Sequence, residues 1–286
     1  MNLVDTHAHL DFLPDIEGWL ERARAAGVDK IVTIGTSVDS SKKCVEIAQK
    51  YSTDDLSIWS TVGIHAEDGK GDIEKYGSWD KCIEELRKIA KISSKVVGVG
   101  ECGYDFKGDK QSLRSSSGIG QIAGLRDQLS ETRNFQKELF DAQIKLACEL
   151  NLPLIIHCRN GFDETFELLD SNSEKLNAKG VFHSWTGDWK DCQKALDLGF
   201  YISFSGILTF KNAPLVVETA KKVPLSRVIL ETDSPFLAPE PVRGSKNEPK
   251  NVKIIGEFLA ELRNIPLDEI ADVTSRNAKT LFGFKI

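Results

Sequence analysis

Several features are scarce or missing in this chain, and each shortage excludes something. Histidine is rare, five residues in 286, so the places where it falls carry information. No apolar run approaches the roughly 18 residues of a bilayer-spanning helix, and no basic-plus-apolar leader precedes the first strand-like run. We therefore expect a soluble, intracellular protein with no membrane partner. Cys44, Cys82, Cys102, Cys148, Cys158 and Cys192 are scattered, with no Cys-x-x-Cys pair. That fits reduced thiols in the cytoplasm, or in a nucleus, better than a disulfide scaffold. Positive charge is not in excess either, the formal net charge being -6. A broad phosphate-binding footprint needs clustered Lys and Arg. A non-catalytic nucleic-acid-binding module is thereby disfavoured, and any phosphate chemistry must be local, with bound divalent cations supplying the positive charge. There is no Gly-x-Gly-x-x-Gly after the first strand, no Gly-x-Ser-x-Gly elbow and no P-loop. The usual signals for a dinucleotide-binding sheet, a serine hydrolase and an NTPase are thus lacking.

What the chain does have is a rhythm. Short Val/Ile/Leu-rich runs alternate with longer amphipathic segments, the pattern of βαβ units in a parallel sheet. Eight strands are expected, near Leu3 to His7, Lys30 to Ile34, Ser57 to Ile64, Lys95 to Gly100, Leu154 to His157, Gly180 to His183, Tyr201 to Ser205 and Val228 to Thr232. Helical periodicity runs over Glu17 to Ala26, Ser40 to Tyr51, Trp79 to Ile92, Thr132 to Leu150, Phe162 to Glu174, Trp189 to Leu198 and Leu215 to Val223. Eight β-then-α repeats point to an α/β fold, a (β/α)8 TIM barrel forming a single domain over residues 1–286. A doubly wound open sheet is the alternative. The tail from Pro266 to Ile286 reads as two short closing helices. One stretch, Lys107 to Ser130, is polar and Gly/Ser-rich and too long for an ordinary βα loop. It reads as a surface insertion, or as a lid, since βα loops lie on the catalytic face of a barrel.

Barrel enzymes assemble their sites from residues at the carboxyl ends of different strands. Here those ends carry His7 and His9, His65, Glu101, His157, His183 and Asp233. On an extended strand His7 and His9 point to the same side, close enough to share one metal. Imidazole plus carboxylate is a ligand set for divalent ions. Glu101, between two histidine groupings, suits a bridging carboxylate in a two-metal centre, which can clamp a phosphoryl or carbonyl group and generate hydroxide near neutral pH. Each piece also has an ordinary structural reading: a satisfied core histidine at His157 or His183, a turn or cap at Asp233, an ion pair at Glu101. All five histidines falling at strand ends is harder to assign to chance. Strand alternation turns Cys102 and Cys158 away from the pocket, as core thiols.

In order along the chain stand Asp5-Thr-His-Ala-His9-Leu10, Gly63-Ile-His65, Gly98-Val-Gly-Glu101-Cys-Gly103 followed by Asp105, and Pro153-Leu-Ile-Ile-His157-Cys-Arg159. His183 with Gly187, Glu231-Thr-Asp233-Ser-Pro235, Arg243-Gly-Ser-Lys-Asn247-Glu-Pro-Lys-Asn251-Val252 and Asn277-Ala-Lys-Thr-Leu-Phe-Gly283 follow. This chain resembles the TatD family of metal-dependent deoxyribonucleases, a branch of the amidohydrolase-like barrels. The resemblance implies that His7, His9, Glu101 and Asp233 hold one metal and that Glu101, His157 and His183 hold a second, with Mg or Mn as the ions and Zn as the alternative. It implies that Asp233 orients or deprotonates the attacking water. It puts His65, Asp105, Arg159 and Arg243 on the substrate side, the arginines as phosphate binders or as members of structural ion pairs. The segment from Arg243 to Val252 would hold the loop after the eighth strand, or bring Asn247 or Glu248 to substrate. The implied activity is exonucleolytic hydrolysis of phosphodiester bonds at single-stranded or frayed DNA ends. The alternative is hydrolysis of an ester, an amide or an aminoacyl-tRNA bond by the same centre. The chain departs from the family pattern at Ala66-Glu67, where Pro-His is common after the histidine, at Trp185, where Phe is usual, and in its longer insertion after Asp105. Trp185 is a candidate base-stacking platform or a packing residue.

Overall fold

The computed structural model describes residues 2–107 and 119–284. Its eight strands are β1 (Leu3–Ala8), β2 (Val28–Thr33), β3 (Ser57–Val62), β4 (Val96–Asp105), β5 (Leu154–Arg159), β6 (Gly180–Phe182), β7 (Tyr201–Phe204) and β8 (Val228–Leu230). They lie in one parallel sheet in sequence order. The sheet closes on itself: Thr6 Oγ1 donates to the Leu230 carbonyl at 2.9 Å, and backbone bonds run from Asp233 N–H to His7 O and from His9 N–H to Ser234 O, both 2.8 Å. The fold is the expected (β/α)8 barrel.

The helices are α1 (Ile16–Ala25), α2 (Val38–Tyr51), α3 (Gly69–Tyr76), α4 (Trp79–Ile92), α5 (Ile119–Leu150), α6 (Phe162–Ser171), α7 (Trp189–Asp197), α8 (Pro214–Lys222), α9 (Val252–Arg263) and α10 (Leu267–Phe282). Short polar residues start several of them: Asp15, Ser37, Ser78 and Asp188 each accept the N–H three residues on, satisfying a donor that the first turn leaves unpaired. One apolar layer lies between strands and helices. A second fills the barrel interior with Val4, Val32, Trp59, Val97, Ile155, Val181, Tyr201 and Ile229, one residue from each strand. Phe282 and Phe284 pack beneath that layer. The end of α10 thus plugs the lower mouth of the barrel and leaves the opposite mouth to function.

Four sequence expectations are corrected. The fourth strand runs to Asp105, not Gly100, because its glycines at 98, 100 and 103 lack strand propensity yet permit close strand approach. The stretch from Lys107 to Ser130 is not all loop: residues from Ile119 onward belong to α5, and 108–118 lie outside the described residues. The tail after Pro266 forms one helix, α10, instead of two. Helices α3 and α9 lie outside the helical segments expected from periodicity.

Candidate metal centre

The ligand-bearing strands are irregular where the chemistry sits. β1 loses register with β2 between Asp5 and Ala8, and β4 loses register with β5 between Val99 and Cys102. Such bulges re-aim side chains at sheet rims, here those of His7 and Glu101. The second irregularity needs small residues, since a Cβ on Gly63 would lie within 2.4–2.7 Å of the Gly100 backbone.

Glu101 is buried and central. Its Oε2 lies 3.3 Å from His7 Nε2 and 3.7 Å from His9 Nε2. Its Oε1 lies 2.7 Å from His157 Nδ1, 2.8 Å from His183 Nε2 and 3.7 Å from His65 Nε2. Asp233 Oδ1 completes the first group, 3.6 Å from His7 Nε2 and 3.3 Å from His9 Nε2. Burial by itself raises the Glu101 carboxyl, but His183, His157 and His7 outweigh it and hold the group well below the usual range. Asp233 behaves likewise, burial being outweighed by His9, His7 and His183.

Whether these residues fit a metal can be judged from their unmet polar atoms. Both nitrogens of His7 and Nδ1 of His9 are buried without a hydrogen-bond partner, an arrangement that costs about 1–3 kcal/mol per group unless something binds there. His7, His9 and Asp233 present donor atoms within 4.8 Å of one another, as do His65, Glu101 and His157. The donor set and its unmet valence fit divalent ions.

Further carboxylates and cations surround this centre. Glu231 was not singled out as a site residue. Its Oε1 accepts the Ser184 N–H at 2.7 Å and lies 3.3 Å from His183 Nδ1, directing His183 Nε2 toward Glu101. The signal for it is its spacing: Glu231 stands two residues before Asp233, just past a strand-like run. Asp105 is buried and committed, its Oδ2 lying 3.1 Å from His157 Nε2 and 3.2 Å from an Arg159 guanidinium nitrogen. It orients a histidine and an arginine at the wall of the cleft, which it lines. His65 accepts the Glu67 N–H on Nδ1 at 3.2 Å, and burial pushes its pKa down to about 4. It is therefore neutral at pH 7 and carries its proton on Nε2, facing Glu101.

A cleft of about 450 Å³ opens over the centre, lined among others by His65, Glu101, Arg159 and Asp233, a size in the roughly 300–1,000 Å³ range of small-ligand sites. Lys107, not singled out from the sequence, also lines it. Arg243 does not; its guanidinium lies 4.0 Å from the centre of the Phe210 ring. Nor does Trp185, which is 2% exposed and packs on Phe162 and Phe182. Asn247 is buried and ties Thr232 O and Phe236 O together, and Glu248 pairs with Arg22 at 2.6 Å, so both hold the loop after β8.

A (β/α)8 barrel with imidazoles and carboxylates gathered at the carboxyl ends of its strands defines a metal-dependent hydrolase. The family model described as TatD related DNase matches residues 4–283. The chain belongs to that family. It is 35% identical to the metal-dependent hydrolase YabD of Bacillus subtilis over 98% of both chains. It is 31% identical to the protein named 3'-5' ssDNA/RNA exonuclease TatD of Klebsiella pneumoniae, covering 96% of this chain and 94% of that one. The crystal structure of the TatD homologue YJJV from Escherichia coli superposes with a TM-score of 0.81 at 31% identity, over 99% of this chain and 98% of that one. Among the described residues no helix is long and apolar enough to cross a membrane.

Proposed function

We propose that this protein is a two-metal deoxyribonuclease that removes nucleotides from single-stranded or frayed DNA ends in the cytoplasm, where its six free cysteines stay reduced. The observation that carries the reading is the division of labour on Glu101: one oxygen faces His7 and His9, the other His157 and His183. A carboxylate so shared suits a bridge between two ions. The name of the Klebsiella pneumoniae relative supports the choice of a nucleic-acid terminus.

In this reading His7, His9, Glu101 and Asp233 hold one ion and Glu101, His157 and His183 the other, Mg or Mn being favoured. Bound ions would acidify water and neutralise phosphate charge. The protein's own residues do the rest. Asp233, held ionised, orients the attacking water and accepts its proton. His65 offers its Nε2–H to a phosphoryl oxygen or leaving group. Arg159 and Lys107 bind flanking phosphate from the rim of the cleft.

The test is incubation of end-labelled oligonucleotides with Mg or Mn. Stepwise shortening by the wild type, lost in Glu101→Ala and Asp233→Ala, is expected. No shortening, together with turnover of small carboxylic esters or an aminoacyl-tRNA, would transfer the centre to carbonyl chemistry.

A further inference from the structure

The rim of the cleft carries apolar surface that phosphodiester cleavage itself does not need. Phe12 and Phe236, 50% and 49% exposed, are two of four large hydrophobic side chains left exposed among the described residues, and both line the cleft. The other two, Ile92 and Leu215, lie elsewhere. Phe12 ends the short turn Leu10–Phe12 that follows β1, and Phe236 lies in the loop after β8. Their ring centres are 6.3 Å apart and their planes 78° apart, so they form a corner.

Both rings are tied to residues of the metal centre. The Phe12 N–H donates to His9 O at 3.2 Å, and the Phe236 N–H to Asp233 O at 2.8 Å. Phe12 also stacks on the His9 imidazole, 5.4 Å between centres and 14° between planes. One face of Phe12 is thus covered, and its remaining exposure is at the mouth. The barrel order sets what lies across from this corner. β8 and β1 stand opposite β4 and β5, and the strand ends of β4 and β5 bring Lys107 and Arg159 to the cleft. Phosphates are drawn to the cationic side, and the uncharged corner is left for a group that is flat and apolar.

We propose that Phe12 and Phe236 form a stacking platform for the terminal nucleobase, setting the end of the strand beside the metal centre; this rests on the nuclease reading above. Every base has a π-face, so the platform grips an end without reading its sequence.

The experiment compares two labelled oligonucleotides that differ only at the terminal nucleotide, one bearing a base and one an abasic tetrahydrofuran, with each end tested in turn. At the end that is digested, the wild type with Mn should show kcat/KM about tenfold or more higher for the base-bearing substrate. The ratio should fall toward one in the Phe12→Ala/Phe236→Ala double variant. It should also fall in Phe12→Leu/Phe236→Leu, which keeps apolar bulk without the π-faces. Ile92→Ala, at the far end of α4, should keep the wild-type ratio. A wild type that shortens both substrates equally well, or aromatic-free variants that still discriminate, would overturn the platform alone. A wild type that shortens neither would overturn the nuclease reading and the platform with it.

Discussion

Asp233 and His7 are joined through their backbones, the Asp233 N–H donating to the His7 carbonyl at 2.8 Å. The seam that closes the barrel therefore also brings His7, His9 and Asp233, the first proposed ligand group, together from opposite ends of the chain. Asp233 adopts a left-handed backbone, φ 59°, uncommon for a residue other than glycine and held here by its surroundings. A functional site is where such a cost persists. Asp233→Asn keeps the shape and removes the charge. We expect kcat on an end-labelled oligonucleotide at saturating Mn to fall about 100-fold or more, the loss of a general base and a charged ligand. Initial rates within tenfold of wild type would remove Asp233 from that role.

Glu231 acts through His183 and has no place in the lining of the cleft. A carboxylate behind a metal-binding imidazole fixes its tautomer, and loss of such a partner costs about 10- to 100-fold in metal affinity or activity. Glu231→Gln should weaken Mn binding by that factor, measured by equilibrium titration, and Glu231→Asp should recover part of it. If metal affinity is unchanged while only the melting temperature falls, Glu231 serves packing and the Ser184 N–H alone.

The barrel and the convergence of its strand ends were legible because both depend on periodicity. Val/Ile/Leu runs at regular spacing mark strands whatever their neighbours are, and a histidine at the end of such a run is placed by the strand. What failed to show depended on contacts distant in sequence. The extent of β4 was hidden by Gly98, Gly100 and Gly103, whose missing Cβ atoms let β4 lie close against Ile155 and His157 of β5. Trp185 and Arg243 lie in loops beyond β6 and β8, where Trp185 turns in against Phe162 and Arg243 out over Phe210. Loop residues have no fixed alternation to reveal that choice. The orienting roles of Asp105 and Glu231 were hidden for another reason: a carboxylate that orients a histidine has the same local sequence as one that binds metal or substrate.

Asp5 supports this architecture from beneath. It is fully buried, and its carboxylate accepts the Thr232 N–H at 2.8 Å and the Thr232 hydroxyl at 2.6 Å. Burial pushes its pKa up to about 8, against the opposing pull of those two hydrogen bonds. Asp5→Ala would strand the Thr232 donors in the interior, each at about 1–3 kcal/mol. We expect urea unfolding of the metal-free protein to show a loss of about 3 kcal/mol. A loss below about 0.5 kcal/mol would mean that the β1–β8 seam does not depend on this pair.

Metal removal should be felt by the fold as well as by the chemistry. His7 presents two buried nitrogens and His9 one with no hydrogen-bond partner, and all five histidines surround the buried carboxylate of Glu101 at 3.7 Å or less. An ion that binds only the folded state stabilises it by about 2.7 kcal/mol when present at 100 times its dissociation constant. The melting temperature should therefore rise on adding Mn to chelator-treated protein, and the rise should follow the Mn concentration. Glu101→Gln offers no shared negative charge to the ions and should lose most of that rise while melting near the metal-free wild type. A wild type whose melting is indifferent to Mn and to chelator would argue that the unmet imidazole nitrogens are not metal ligands.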